Sequence, residues 1–129
     1  MNVLFVCIGN SGRSVMAERL FVRAAGDRHE VRSAGVHAGR GAEPLVVEAL
    51  AEVGVDASSH VPTQLDQELI DWADLVVTVC DDGACPATPG ARRIAVPFED
   101  PGGQPLETVR RIRDEIDVAV RDIAASLAG

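Results

Sequence analysis

The chain has 129 residues, 47% of them hydrophobic, which is enough for one globular domain with a core and too few for two. Its net charge of −8 argues against a nucleic-acid-binding protein, and no apolar run is long enough to span a membrane. All twelve basic residues are arginines, which excludes a lysine Schiff base and a Gly-Lys-Ser/Thr nucleotide loop. We therefore expect a single domain over residues 1–129. The N-terminus lacks a basic stretch before a long apolar segment, so we expect a cytoplasmic protein.

Predicted strands and helices alternate along the chain. Runs rich in apolar residues predict four strands at 2–7, 30–34, 74–80 and 92–97. Helical spacing of apolar residues and turn signals predict helices at 13–25, 43–53, 65–72 and 105–127. Almost uninterrupted apolar central strands are typical of a parallel sheet covered on both faces. We therefore predict an α/β fold, a doubly wound four-stranded parallel sheet flanked by helices.

Two of the three cysteines end predicted strands. Cys7 ends the first strand and Cys80 ends the strand at 74–80, while Cys85 follows shortly after. The carboxyl ends of parallel strands meet at one edge of the sheet, where ligands bind near a switch in strand order, so Cys7 and Cys80 are expected there together. The spacing of Cys80 and Cys85 is not that of a usual zinc hairpin, so we predict neither a metal nor a cofactor.

The segment CIGNSGRS, residues 7–14, connects the first strand to the first helix. Gly9 and Gly12 allow positive backbone dihedrals, through which successive N–H groups can converge on one point. The helix N-terminus and a nearby arginine favour an ionised thiolate at Cys7. An oxyanion would bind above the sulfur, held by Ile8, Gly9, Asn10, Ser11, Gly12, Arg13 and Ser14. Within this set Ser14 can donate to the sulfur and Asn10 can brace the loop. The competing interpretation is a buried cysteine followed by a glycine turn.

This loop resembles the Cys-x5-Arg-Ser loop of the low-molecular-weight protein tyrosine phosphatases and of their relatives, the thioredoxin-coupled arsenate reductases. The likeness continues in MAE directly after the loop, SAG at 33–35, DLVVTVC at 74–80 and FEDPGG at 98–103. The loop alone does not separate the two branches.

The cysteine pair after the third strand favours the reductase branch. By the resemblance, Cys7 attacks arsenate, Cys80 attacks Cys7 as arsenite leaves, and Cys85 moves the disulfide to a Cys80–Cys85 pair that thioredoxin reduces. The resemblance also implies that Asp100, before Pro101, is the general acid, although Glu99 is adjacent. The expected substrate is arsenate, with phosphate and sulfate as analogues, and no nucleic acid or membrane is expected as a partner.

Other interpretations stay open. One is a phosphatase that hydrolyses phosphomonoesters through a Cys7 phosphoenzyme, although its branch usually grips phenol rings with aromatics and this chain has no tyrosine. Another is a non-catalytic oxyanion-binding or redox-sensing module. Mycothiol or glutaredoxin could replace thioredoxin as reductant.

Two further groups of residues bear on possible ligands. Some members of the resembled family hold potassium near the loop through an Asn, a Glu, a Ser and an Asp. Here Thr63 stands at the Asp position, so no strong potassium site is expected at the residues that match: Asn10, Glu18 and Ser33. The histidines are scattered, and we predict surface or loop positions for His29, His37 and His60.

Overall fold

The computed structural model describes residues 1–80 and 92–128, so Cys85 lies outside the described residues. The strands in this part of the chain are Asn2–Cys7 (β1), Glu30–Gly35 (β2), Leu75–Thr78 (β3) and Arg92–Ala95 (β4). The α-helices are Arg13–Ala25 (α1), Pro44–Ala51 (α2), Gln67–Trp72 (α3) and Leu106–Leu127 (α4). A 3-10 turn, Gly26–Arg28, follows α1.

The first strand and helix have the predicted bounds, whereas the last two strands are shorter than predicted. Backbone contacts nevertheless continue past both strands, because Val96 N donates to Thr78 O over 2.9 Å and Phe98 N donates to Val79 O over 3.3 Å. Pro97 lies between these two donors and has no N–H to contribute. The proline therefore interrupts the regular ladder while the segment stays beside β3.

All four strands are parallel, in the order β2-β1-β3-β4, which confirms the predicted sheet. The chain adds β2 on one side of β1 and then crosses to add β3 on the other. This reversal makes the carboxyl ends of β1 and β3 a topological switch point, where doubly wound folds bind ligands. Cys7 pairs with Gly35 of β2 at this edge, and Val6 pairs with Thr78 of β3.

Side chains of the sheet alternate between two apolar layers. Val3, Phe5 and Cys7 belong to the larger layer, which also contains residues of α1, α2 and α4. Leu4 and Val6 belong to the smaller layer, against which Leu69 and Trp72 of α3 pack. Helices therefore cover both faces, and burial of each large apolar side chain contributes about 1.5–3 kcal/mol.

The longest helix, α4, has 22 residues and is amphipathic. Its buried side is formed by Val109, Ile112, Ile116 and Val120. Arg111–Glu115 and Arg121–Asp117 ion pairs lie on its exposed side. Within residues 1–80 and 92–128, no helix is both long and apolar enough for a membrane span.

Candidate active site

Cys7 is a buried thiol at the end of β1, only 3% exposed. Its Sγ lies 2.9 Å from Ser14 Oγ and accepts a hydrogen bond from Asn10 N over 3.3 Å. Asn10 Nδ2 also donates to Ser14 Oγ over 2.8 Å, which leaves the Ser14 hydroxyl proton available for the sulfur. Two donors therefore converge on Cys7, an arrangement that stabilises a thiolate.

The backbone carbonyls from Cys7 to Gly12 all accept hydrogen bonds from groups around the loop. In the order of the accepting carbonyls, from Cys7 to Gly12, the donors are Val36 N (3.1 Å), His37 N (2.8 Å), Gly39 N (2.8 Å), His60 Nε2 (2.8 Å), Glu43 N (2.9 Å) and Met16 N (3.0 Å). A trans peptide places its C=O and N–H on opposite sides, so the N–H groups of these same peptides turn towards the centre of the loop. Among the described residues, no acceptor takes up the N–H groups of Ile8, Gly9, Ser11 and Gly12.

A cavity of about 200 Å³ opens at the Cys7 sulfur. Its lining consists of Cys7, Ile8, Gly9, Ser11, Gly12, Arg13, Glu43 and Asp100. The N-terminus of α1 adds partial positive charge to this lining, and the guanidinium of Arg13 adds a full charge. Asn10 and Ser14 are buried and contact the sulfur, the place that the sequence analysis gave Ser14. The cavity therefore offers donors to an oxyanion directly over a nucleophile.

The left-handed residue of the loop is Asn10, with φ of 52°. The expectation that Gly9 and Gly12 supply positive φ is wrong. Asparagine tolerates this region, and its side chain is held at both ends, since Nδ2 donates to Ser33 Oγ (3.0 Å) and Oδ1 accepts from Thr63 N (2.9 Å). These hydrogen bonds offset backbone strain of about 1–3 kcal/mol. The hydrogen bonds of the Asn10 side chain thus stabilise a left-handed backbone conformation that a glycine would adopt without strain.

Gly35, the last residue of β2, lies directly against the loop. A Cβ on Gly35 would lie 2.7 Å from Asn10 N, 2.7 Å from Ile8 O and 2.8 Å from the carbonyl carbon of Gly9. All three are backbone atoms of the loop, so they cannot move aside without displacing it. A glycine is therefore required where β2 supports the oxyanion loop.

Arg13, the first residue of α1, is only 5% exposed. Its Nη1 donates to Phe98 O over 2.9 Å, a contact across 85 positions of the chain. A guanidinium carries five N–H donors in one plane, so this bond orients the group at the cavity. It also ties the loop to the segment that carries Asp100.

Asp100 has an exposed carboxylate at the cavity, and its Oδ1 accepts from Gly102 N over 2.9 Å. Pro101 packs against the loop, since a Cβ on Gly12 would lie 3.0 Å from Pro101 Cγ. The adjacent Glu99 instead pairs with Arg111 Nη2 at 2.9 Å and does not line the cavity. Of these two neighbouring acids, Asp100 is therefore the one that lies beside the nucleophile.

Cys80 is buried two residues beyond β3, at the same edge of the sheet as Cys7. Its Sγ lies 3.8 Å from the carbonyl oxygen of Val6, the residue before Cys7. Cys80 is disulfide-bonded, whereas Cys7 is a free thiol. The prediction that Cys7 and Cys80 lie at the same edge of the sheet is confirmed, and Cys85 lies outside the described residues.

The three residues that match a potassium site contact one another. Ser33 Oγ accepts from Asn10 Nδ2 and donates to Glu18 Oε1 over 2.6 Å. The other carboxylate oxygen of Glu18 lies 3.4 Å from Arg19 Nε. Thr63 contacts this set through its backbone N–H, which donates to Asn10 Oδ1. This set does not fit a strong cation site, because its one carboxylate already faces a hydroxyl and a guanidinium.

Comparison with known proteins agrees with this geometry. Residues 2–129 match the family described as low molecular weight phosphotyrosine protein phosphatase. The chain belongs to this family. A relative from Staphylococcus epidermidis named Arsenate reductase 2 is 40% identical over 121 residues, 92% of this chain and 92% of the relative.

Two solved structures that are named arsenate reductases also resemble the chain closely. The crystal structure of arsenate reductase from Archaeoglobus fulgidus is 37% identical with a TM-score of 0.86, covering 95% of this chain and 98% of that one. The thioredoxin-dependent arsenate reductase from Corynebacterium glutamicum is 35% identical with a TM-score of 0.81, covering 98% of this chain and 61% of that one.

In this member of the phosphatase family, the site contains two residues, His60 and Glu43, that were not predicted from the sequence to belong to it. His60 is half-buried in a loop and contacts Asn10 O from 50 positions away, for which no local signal exists. Glu43 precedes α2, where Ser, Thr, Asp or Asn is the usual cap. A glutamate at the cap position, followed by Pro44, is the sequence signal that could have pointed to a role for Glu43 other than capping.

Proposed function

We propose that this chain reduces arsenate to arsenite through Cys7, with Cys80 and Cys85 as a disulfide relay that thioredoxin resets. The observation that carries the proposal is the free Cys7 sulfur under a ring of N–H donors, with Cys80 buried at the same edge. An oxyanion-binding loop by itself is compatible with either a phosphatase or an arsenate reductase. Once its own disulfide is reduced, the buried Cys80 at the same sheet edge would give Cys7 a partner for a disulfide.

The first step is attack of the Cys7 thiolate on arsenic. Ser14 and the Asn10 N–H hold the negative charge on the sulfur, and the loop N–H groups with Arg13 hold the arsenate oxygens. A sulfur–arsenic bond forms and an arsenic–oxygen bond breaks. The departing oxygen is a hydroxyl of arsenate, which takes a proton from Asp100 and leaves as water.

The second step transfers two electrons to arsenic. Cys80, as a thiolate, attacks the Cys7 sulfur, and the electron pair of the sulfur–arsenic bond stays on arsenic, which leaves as arsenite. Two thiols have then become one disulfide, which balances the reduction. Cys85 attacks Cys80 and releases Cys7 as a thiolate, and the thioredoxin dithiol reduces the resulting Cys80–Cys85 disulfide.

The relatives support this choice of substrate and reductant. The Staphylococcus epidermidis and Archaeoglobus fulgidus proteins are named arsenate reductases, and the Corynebacterium glutamicum protein is named thioredoxin-dependent. A reducing compartment is needed to keep Cys7 and its partners cycling, which supports a cytoplasmic place of action.

The second candidate is phosphomonoester hydrolysis, favoured by the family description itself. The same loop would hold a phosphoryl group, and Cys7 would form a phosphoenzyme. Against it, no aromatic ring lines the cavity within the described residues, and the chain has no tyrosine. A small polar cavity suits an inorganic oxyanion better than a phenol ring.

A coupled assay tests the proposal. Reduced protein is supplied with arsenate, thioredoxin, thioredoxin reductase and NADPH, and NADPH oxidation is followed. We expect arsenate-dependent turnover that Cys80→Ser and Cys85→Ser each abolish. Trapped Cys85→Ser protein should contain a Cys7–Cys80 disulfide, detectable by mass spectrometry of non-reduced peptides.

Hydrolysis of para-nitrophenyl phosphate serves as the control for an intact loop in both variants. Retained hydrolysis with lost arsenate turnover supports the relay. Absence of arsenate-dependent NADPH oxidation, with normal hydrolysis in every variant, would favour the phosphatase. Binding of phosphate with neither activity would favour a non-catalytic module.

A further inference from the structure

Glu43 is a carboxylate at the mouth of the cavity that the proposed reaction leaves without a role. It immediately precedes α2, and its backbone N–H donates to Ser11 O over 2.9 Å, which ties it to the oxyanion loop. Its side chain makes no capping hydrogen bond to α2. It lines the cavity together with Cys7, Arg13 and Asp100.

The Glu43 carboxylate has no ion-pair or hydrogen-bond partner among the residues that the structure describes, and it is half-buried. Its Oε1 lies 3.1 Å from the point where a Cβ on Gly102 would stand, and Asp100 Oδ1 lies 3.2 Å from the same point. Two carboxylates thus flank Gly102 at the rim. Asp100 already accepts from Gly102 N, whereas the acceptor capacity of Glu43 is unused.

The cavity therefore presents two kinds of groups. Its floor consists of N–H donors and the Arg13 guanidinium, which bind oxygens that carry negative charge. Its rim presents Glu43, which when ionised can only accept a hydrogen bond. A tetrahedral oxyanion can bind the N–H donors and Glu43 together only if one of its oxygens carries a proton to donate to the carboxylate.

This requirement separates oxyanions that are otherwise alike in shape. Arsenate and inorganic phosphate keep at least one hydroxyl at neutral pH, whereas sulfate keeps none. Sulfate would place a bare, negative oxygen against the Glu43 carboxylate, with no proton between the two acceptors. Buried polar groups that lose their partner in this way account for much of the selectivity of hydrogen-bonding sites.

We infer that Glu43 determines oxyanion specificity by accepting a hydrogen bond from the hydroxyl of a protonated tetrahedral oxyanion, so that the site binds arsenate and phosphate in preference to sulfate, which the sequence had led us to expect as an equivalent analogue. The inference rests on the proposed function for its biological substrate. In the proposed reaction the singly charged anion carries two hydroxyls: Glu43 binds one, and Asp100 protonates the other, which leaves as water.

Calorimetric titration of the reduced protein with inorganic phosphate and with sulfate tests this role at neutral pH. We expect wild-type protein to bind phosphate about tenfold or more tightly than sulfate. Glu43→Gln should reduce that ratio about tenfold, because its amide can donate to sulfate. Glu43→Asp keeps an acceptor and should retain more of the ratio than Glu43→Gln does.

The matched control is Glu48→Gln, the same change on the exposed side of α2, which should leave the ratio within about twofold of wild type. A Glu43→Gln ratio equally close to wild type would overturn the inference, as would wild-type protein that binds sulfate as well as phosphate or binds neither. The outcome is independent of the coupled assay. A shifted ratio without arsenate turnover would reject the reductase proposal alone, and turnover with an unshifted ratio would reject this inference alone.

Discussion

Ser14 Oγ lies 2.9 Å from Cys7 Sγ, so the first turn of α1 reaches back to the sulfur at the end of β1. Asn10 Nδ2 donates to the same hydroxyl and orients its proton towards the sulfur. The reactivity of Cys7 therefore depends on a residue that does not line the cavity.

Ser14→Ala should slow alkylation of Cys7 by iodoacetamide at neutral pH. Among the described residues, the sulfur then keeps only the Asn10 N–H donor, and a hydrogen bond to a charged group contributes about 1.5–3 kcal/mol, so the alkylation rate should fall by roughly tenfold. The alkylation rate of the reduced protein measures the effect. Ser59→Ala, at an exposed position outside the lining of the cavity, should alkylate at the wild-type rate. Equal rates for Ser14→Ala and wild type would contradict the donor role.

Gly35→Ala should damage the oxyanion loop and the fold together. The added methyl group would overlap backbone atoms of Ile8, Gly9 and Asn10, and overpacking of this kind costs about 1–3 kcal/mol. Urea denaturation should show that loss, and calorimetry should show weaker phosphate binding. Gly41→Ala is the matched control, because a Cβ there meets no atom within 4 Å. A Gly35→Ala protein as stable and as tight-binding as Gly41→Ala would refute the close approach.

Asp100→Asn should lower arsenate turnover by about 10²–10⁴-fold, the usual contribution of a general acid. The neighbouring Glu99→Gln removes the same charge but only breaks an exposed ion pair with Arg111, so its turnover should stay near wild type. Both variants are compared in the coupled NADPH assay and in para-nitrophenyl phosphate hydrolysis. The reverse pattern, with Glu99→Gln inactive, would reassign the acid.

The hydrogen bonds of Glu52 should make a pH-dependent contribution to the free energy of unfolding. Hydrogen bonds from Arg110, and then from Arg113, hold the pKa of Glu52 below its usual range, joining the end of α2 to α4. The folded state thus binds fewer protons than the unfolded state around this pKa. The stabilisation is present above the unfolded pKa and is lost as pH falls through the folded one.

Glu52→Gln should therefore lower the urea midpoint slightly at neutral pH, and the difference from wild type should shrink in acid. Urea titrations across the acidic range measure it. Glu48→Gln, also exposed on α2, should show neither effect. A difference that grows as pH falls would contradict the assigned sign.

Much of this molecule could be predicted from local sequence alone. Apolar runs and helical spacing gave the bounds of β1 and α1 and the parallel α/β class, because these patterns reflect which side of each element is buried. The strand–loop–helix context of CIGNSGRS also indicated a thiol beneath oxyanion donors. Both features depend on residues that are close together along the chain.

Only the tertiary structure decided which residues complete the site. Asn10 is left-handed because Ser33 and Thr63 hold its side chain, which the glycine-rich loop did not reveal. Asp100 rather than Glu99 lies at the cavity because Arg111, on α4, engages Glu99. Glu43 reaches the rim because its backbone is tied to Ser11. Each of these orientations is set by hydrogen bonds between segments far apart in sequence, and such contacts exist only once the sheet and its helices have packed.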